Sequence, residues 1–68
     1  MNDQRYNEIR KYVQKQEKIS VSHLQRRFSI GYNRASKIVE YLEDNGTISE
    51  RDKYGFRMVL KRIYVWNV

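Results

Sequence analysis

Two short apolar stripes at helical spacing, separated by a three-residue turn, constrain the fold of this chain more than any other feature. Val21, Leu24 and Phe28 follow the i, i+3, i+7 spacing of a short buried helix face. The second stripe has the same helical period and comprises Ala35, Ile38, Val39 and Leu42. Gly31 ends the turn between them, where the lack of a side chain permits an unusual backbone angle or a close approach. Two short helices joined in this way indicate a helix-turn-helix, with helices over about residues 21–28 and 32–45.

The segment before this pair predicts a first helix and a short strand. Tyr6, Ile9 and Val13 form the inner stripe of a helix over about residues 3–16. Ile19 lies between this helix and the next, and we expect it in a single β contact. The domain therefore contains three predicted helices.

The segment after the third helix predicts a β-hairpin. Gly46 ends the helix as a left-handed C-cap. Alternating residues then indicate a hairpin over about residues 47–60, with Phe56, Met58 and Leu60 alternating on its return strand. A hairpin that follows a helix-turn-helix is a wing, so the predicted fold class is mainly α with a small β-hairpin. The architecture is a winged helix-turn-helix of three helices plus a wing.

Composition places nucleic acid first among the partners. The 68 residues carry 14 basic and 8 acidic side chains, a formal net charge of +6, and a sequence pI of about 9.8. Small ribosomal and membrane-surface proteins share such charge, so charge alone does not decide the function. No apolar run is long enough to span a membrane and the first residues are polar, which predicts neither a membrane segment nor a signal peptide. With no cysteine to form disulfides, we expect a cytoplasmic protein.

Catalytic and metal-binding residue patterns are missing from the sequence. It has one histidine, no cysteine and no acidic cluster beside a nucleophile. His23 has no second ligand nearby in sequence, so a surface role is expected for it. A glycine-rich phosphate loop is also missing, and a chain this short could not hold an ATPase. We therefore expect no enzyme, no metal and no cofactor.

The face of the third helix opposite its apolar stripe carries the candidate base-reading residues. At about 100° per residue, Asn33, Lys37 and Glu40 align on this face. A polar first turn facing outward is typical of a recognition helix, whose N-terminal residues lie nearest the base edges. Ordinary roles fit the same residues: Asn33 can assist capping, and Lys37 with Glu40 can form an i, i+3 surface pair. Periodicity alone does not choose between these interpretations.

Several side chains around this helix are candidates for contacts with the DNA backbone. The preceding helix of a helix-turn-helix crosses the backbone, and a basic wing can lie along phosphates or enter the minor groove. Arg27 fits equally well as a stem packed over the core, and the ring of Tyr32 fits as a core aromatic. The candidates are Ser22, Arg26, Arg27, Tyr32, Arg34, Lys53 and Arg57.

A longer run that includes these residues is similar to a known family. Residues 24–35 read Leu-Gln-Arg-Arg-Phe-x-Ile-Gly-Tyr-Asn-Arg-Ala, followed by Lys37-Ile38-Val39-Glu40 and then Glu43-x-x-Gly46. Over roughly residues 19–60 this pattern closely resembles the C-terminal gamma domain of the FtsK/SpoIIIE DNA translocases. The resemblance implies a winged helix that reads short, asymmetric, purine-rich orientation sequences in bacterial chromosomes. It assigns the reading positions to Asn33, Lys37 and Glu40.

One reading position departs from the family, which usually has Arg where this chain has Lys37. Arg can fork onto O6 and N7 of guanine, whereas Lys offers a mobile point charge. The resemblance therefore implies DNA binding more directly than it implies the family's own target sequence. In the wing, Arg57 coincides with an arginine of the family.

Two functional hypotheses of different classes follow. The leading one is sequence-specific binding of double-stranded DNA by a small regulator or site-marking protein. Such a protein would be of bacterial, phage or other mobile-element origin. It would act in transcription control or as a copy of the translocase's reading head. The alternative is a protein-interaction module that uses an extra C-terminal strand over about residues 62–67. Ile63 to Trp66 would make this strand apolar on both faces, which suits either burial under the first helix or a homo-oligomer contact.

Overall fold

The structure, a computed structural model, describes residues 4–62. In chain order the elements are α1 (Gln4–Val13), β1 (Lys18–Ile19), α2 (Val21–Phe28), α3 (Tyr32–Asp44) and β2 (Arg57–Met58). The described part is therefore mainly helical with a small antiparallel sheet, which confirms the predicted fold class. The predicted C-terminal strand and the homo-oligomer contact through Ile63 to Trp66 lie outside the described residues.

The first helix is shorter than the prediction of residues 3–16. Helix α1 ends at Val13, and the amide groups of Lys15 and Gln16 donate to carbonyls only three residues back, at 3.1 and 2.9 Å. Residues 14–18 are all polar, so a longer helix would bury no further apolar side chain. The tight turn instead brings the fully buried Ile19 into the sheet.

Helix α2 has well-defined ends. The Oγ of Ser20 accepts a hydrogen bond from the backbone amide of His23 at 3.1 Å, which is an N-cap. At the other end Ser29 adopts the left-handed conformation, with φ of 52° and ψ of 48°. Gly31 was predicted to supply an unusual angle or a close approach, but its φ is −72° and a Cβ there would meet nothing within 4 Å. The turn therefore depends on Ser29, and the prediction for Gly31 is wrong.

Helix α3 ends as predicted at a left-handed glycine. Gly46 has a φ of +74° and donates its amide to the carbonyl of Glu43 at 2.9 Å. The amide of Thr47 reaches back to the carbonyl of Leu42 at 2.9 Å. These two bonds satisfy carbonyls at the helix end and turn the chain into the hairpin.

The small sheet joins the first strand to the hairpin. β1 pairs antiparallel with β2, with Lys18 opposite Met58 and Ile19 opposite Arg57. This pairing confirms the predicted β contact at Ile19. On the other side of the return strand, Ile48 forms an antiparallel bridge with Val59. Hereafter the wing means residues 47–60.

The inner face of the sheet closes a core built from all three helices. Phe56, Met58 and Leu60 do alternate along the return strand, but they are 38%, 54% and 60% exposed, and the buried side chain is Val59 between them. The buried face of the return strand is therefore the one that carries Val59, whose bridge partner Ile48 is also buried. The core comprises Tyr6, Ile9, Val13, Ile19, Leu24, Phe28, Ile30, Ala35, Ile38, Val39, Leu42, Ile48 and Val59. Within residues 4–62, none of the helices is both long and apolar enough to cross a membrane.

Candidate nucleic-acid interface

The outward face of α3 presents the three predicted reading residues to solvent. Asn33, Lys37 and Glu40 are exposed, whereas Ala35 and Ile38 between them are fully buried. In the described part of the chain no ion pair joins Lys37 to Glu40. All three side chains are therefore available at the surface of the helix.

The two flanks of α3 have different neighbours. At about 100° per residue, Tyr32, Ser36 and Glu43 fall on one flank and Tyr41 on the other. Tyr32 and Ser36 face the wing across a groove. Tyr41 instead contacts α1, where its ring lies 5.0 Å from the ring of Tyr6 in an edge-to-face arrangement. The polar face of α3 is thus bordered by the wing on one side only.

The groove between α3 and the wing, hereafter the wing groove, has a volume of about 620 Å³. Its walls come from three separate parts of the chain: α2 with its N-cap, the first turns of α3 and the wing. Arginines and hydroxyl groups line it, and none of the lining residues is acidic. The lining residues are Ser20, Val21, Ser22, His23, Arg26, Tyr32, Ser36, Arg51, Tyr54, Gly55, Phe56 and Arg57. Such a surface suits an anionic chain, because charged and hydroxyl donors stabilise phosphate oxygens.

The N-terminus of α2 opens into this groove. Ser22 and Arg26, two predicted backbone contacts, both line the groove, as does His23. The Nε2 of His23 forms a hydrogen bond with the hydroxyl of Tyr12, with 2.6 Å between the two atoms. The unpaired amides and the dipole of the first turn favour an anion at this place.

Arg27 and Tyr32 lie in different environments. The guanidinium of Arg27 lies 5.0 Å from the ring centroid of Tyr12 and 5.3 Å from that of Phe28, so it stacks on aromatic side chains. This position corresponds to the packing alternative for Arg27, away from the wing groove. Tyr32 is 62% exposed and lines the groove, so its ring is not part of the core.

The wing tip is a tightly bonded turn. The Oδ1 of Asp52 accepts hydrogen bonds from the amides of Tyr54 and Phe56, at 2.8 and 2.9 Å. Lys53 is exposed at this tip, with its Nζ 5.1 Å from the ring centroid of Tyr54. Arg51 points toward the groove, as its presence in the groove lining shows.

Arg57 differs from the other predicted backbone contacts. It lines the groove, but its Nη1 forms an ion pair with Glu43 and also lies 3.4 Å from the carbonyl oxygen of Ser49. The guanidinium is therefore engaged inside the protein. Arg34 is exposed on the flank of α3 away from the wing, outside the groove.

The sequence did not assign Ser36, Arg51 or Tyr54 to the interface, although all three line the groove. Ser36 could have been found from its position one turn after Tyr32 on the same flank. Nothing in the sequence shows that the hairpin folds toward this flank.

Three helices and a wing, with an exposed polar face on α3, define a winged helix-turn-helix domain. The model of the FtsK gamma domain family matches residues 1–62. The chain belongs to this family, whose members are DNA-binding domains of DNA translocases.

Curated relatives agree with this assignment. The chain is 45% identical over 58 residues to the DNA translocase FtsK of Campylobacter jejuni, a match that covers 85% of this chain and 6% of the relative. It is 41% identical over 59 residues to DNA translocase FtsK 1 of Neisseria meningitidis, covering 87% of this chain and 7% of the relative. Against the FtsK of Haemophilus ducreyi the identity is 45% over 60 residues, covering 88% and 6%. The chain thus spans well under a tenth of the length of these relatives.

Proposed function

We propose that this domain binds double-stranded DNA in a sequence-specific manner, with α3 in the major groove and one phosphate backbone in the wing groove. The observation that carries this proposal is the arrangement of the two surfaces. A groove lined by arginines and hydroxyls, without a carboxylate among its lining residues, runs directly beside the exposed polar face of α3. A duplex that enters with its bases against α3 presents its phosphates beside that helix.

The three reading side chains have distinct base preferences. Asn33 can bond in bidentate fashion to N6 and N7 of adenine, and Lys37 can donate to O6 or N7 of guanine. Glu40 can accept from N4 of cytosine. An Asn, a Lys and a Glu on one helix face therefore favour a mixed A·T and G·C site in which two of the contacts fall on purines.

Backbone contacts come from both sides of the wing groove. On the helix side Ser22, Arg26 and Tyr32 donate to phosphates, together with the amides at the start of α2. On the wing side Arg51 and Lys53 supply charge. Arg34 lies on the opposite flank of α3, where it faces the second strand of the duplex. These contacts fix the orientation of α3 and add affinity for any sequence.

The biological setting that we favour is the reading of a DNA site for a translocase. The relatives described above are named DNA translocases. Their names support this setting over the transcription regulator or mobile-element protein that the sequence alone suggested. A domain in this role supplies the site preference, while movement along DNA depends on other parts of such a protein.

The proposal is tested by selecting bound duplexes from a random pool at physiological salt and titrating the preferred duplex. We expect Asn33→Ala and Lys37→Ala to lower the preference for the selected over a scrambled duplex by about 1–3 kcal/mol each. Lys11→Ala, on the exposed face of α1, removes the same charge as Lys37→Ala and should leave the preference unchanged. Equal weakening of both duplexes by the α3 variants would assign them to phosphates and contradict the proposed reading.

A protein-interaction function is the second candidate. It is favoured by one observation, the strip of exposed apolar side chains formed by Phe56, Met58 and Leu60 on the outer side of the return strand. Such a contact would respond little to salt, whereas DNA binding weakens by a log–log slope of about 0.9 per phosphate contact.

A further inference from the structure

One ion pair joins the recognition helix to the wing. The Nη1 of Arg57, on β2, pairs with the Oε1 of Glu43 near the end of α3. The same nitrogen lies 3.4 Å from the carbonyl oxygen of Ser49, on the outgoing strand of the wing. The side chain of Arg57 is 14% exposed and that of Glu43 is 37% exposed. A single guanidinium therefore connects α3 with both strands of the wing.

The wing tip is firm internally and meets the rest of the domain through a side-chain contact, in which the Nζ of Lys18 lies 4.7 Å from the ring centroid of Phe56. Besides the two bonds to its Oδ1, Asp52 donates its own amide to the carbonyl of Phe56 at 2.8 Å. None of residues 50–56 is buried in the described structure. At its base the wing is held by the pairing of β2 with β1 and by the buried bridge between Ile48 and Val59. The tip is therefore a rigid unit whose angle to α3 depends on contacts near its base.

We propose that the Glu43–Arg57 ion pair is a strut that sets the position of the wing relative to α3 and, through it, the discrimination between DNA sites. This inference rests on the proposed function. Specific binding requires base contacts by α3 and backbone contacts by the wing at the same time. Holding the wing in place before binding removes the cost of ordering it on the DNA. Non-specific binding is mainly electrostatic and tolerates a wing in several positions.

In this role Arg57 is a positioning residue and not a phosphate ligand. Its charge is neutralised by Glu43, and its exposure is low. A direct phosphate contact by Arg57 would make Glu43 a competitor of the DNA. The two roles therefore predict opposite effects of removing Glu43: weaker specific binding for a strut, and tighter binding for a direct contact.

The DNA experiment compares Glu43→Ala with Glu8→Ala, which removes the same charge from an exposed position of α1. The probes are a duplex selected from the random pool and a scrambled duplex of the same composition. We expect Glu43→Ala to lower the affinity for the selected duplex about tenfold and the affinity for the scrambled duplex less than about twofold. Glu8→Ala should weaken the binding of neither duplex. Arg57→Gln should behave as Glu43→Ala does and keep the salt slope of the wild type.

Two results of this experiment would overturn the strut. One is tighter or unchanged binding of the selected duplex by Glu43→Ala. The other is a salt slope flattened by about 0.9 in Arg57→Gln, the value for one lost phosphate contact. The charge swap Glu43→Arg with Arg57→Glu should recover the discrimination that the single variants lose, because it rebuilds the pair.

A measurement on the free protein tests the strut without DNA. Backbone order parameters of residues 52–56, from amide relaxation, should fall in Glu43→Ala and stay at the wild-type value in Glu8→Ala. Those of α3 should not change, which distinguishes a loosened wing from a partly unfolded domain. An unchanged wing in Glu43→Ala would refute the strut. Failure of the wild type to prefer any duplex would refute the proposed function instead, and the relaxation result would still decide the strut.

Discussion

Two adjacent arginines of α2 offer a sharp test of the wing groove. Arg26 lines the groove, whereas the guanidinium of Arg27 stacks on the rings of Tyr12 and Phe28. Both side chains are exposed and carry the same charge. Arg26→Ala should therefore remove a phosphate contact. Arg27→Ala should remove the same charge but no phosphate contact.

The size of the difference follows from counterion release. Each phosphate neutralised by the protein contributes about 0.9 to the slope of log affinity against log salt. Between 50 and 200 mM salt, a fourfold change, each phosphate contact contributes a factor of about 3.5 to the loss of affinity. A variant that lacks one contact should therefore lose about 3.5-fold less affinity than the wild type over this range. Arg51 lies on the wing side of the same groove. If the two contacts are independent, the double variant Arg26→Ala/Arg51→Ala should lose about twelvefold less affinity than the wild type over the same salt range.

The assay is a fluorescence anisotropy titration of one labelled duplex at several salt concentrations within this range. Arg27→Ala should keep the wild-type slope, although it loses aromatic stacking worth about 0.5–1 kcal/mol of stability at an exposed site. A thermal unfolding curve verifies that each variant is folded at the titration temperature. Equal flattening by Arg26→Ala and Arg27→Ala would refute the reasoning, because net charge and not the groove would then govern binding.

Three further predictions concern stability. Ser20→Ala should cost about 1 kcal/mol of stability through loss of the N-cap, which lowers the melting temperature by about 4–8 °C in a domain of this size. Ser22→Ala, at an exposed position, should leave the melting temperature unchanged. Equal losses in the two variants would exclude the cap as the cause. Ser29→Gly should raise the free energy of unfolding in urea by up to about 1 kcal/mol, because glycine adopts the left-handed conformation without a Cβ clash; a decrease would show that the turn needs the serine. Burial raises the pKa of Tyr6 above its ordinary 10.0, so the folded protein keeps a proton that the unfolded chain loses. Stability should therefore fall as pH rises above about 10, and Tyr6→Phe should reduce that fall; an identical pH profile for Tyr6→Phe would contradict this.

The helix-turn-helix was predictable because its signal is local. The stripes around Leu24 and Leu42 repeat within a few residues, and the same periodicity that buries them turns Asn33 and Lys37 outward. The end of α1 was less predictable, since polar residues after Val13 fit a helix surface as well as a turn. An unusual backbone angle or a close approach was assigned to Gly31 by residue type, whereas the left-handed residue of the turn is Ser29.

The features that could not be predicted depend on contacts between distant parts of the chain. Both phases of the return strand carry apolar residues, so alternation alone did not show that Val59 faces inward and Met58 outward. The ion pair of Arg57 with Glu43 spans 14 positions and the wing groove draws on three segments, which no local pattern reveals. From the sequence alone, a basic residue in the wing is therefore interpreted as a DNA contact. In the structure, however, Arg57 is engaged within the protein.

The central claim is that α3 and the wing groove hold one duplex together, and an amide chemical-shift titration of the isotope-labelled protein tests it most directly. With the selected duplex, we predict that shifts concentrate in the first turns of α3, the start of α2 and the wing tip, while the exposed face of α1 stays unchanged. Shifts confined to α1, or to Met58 and Leu60 on the outer side of the return strand, would contradict the claim.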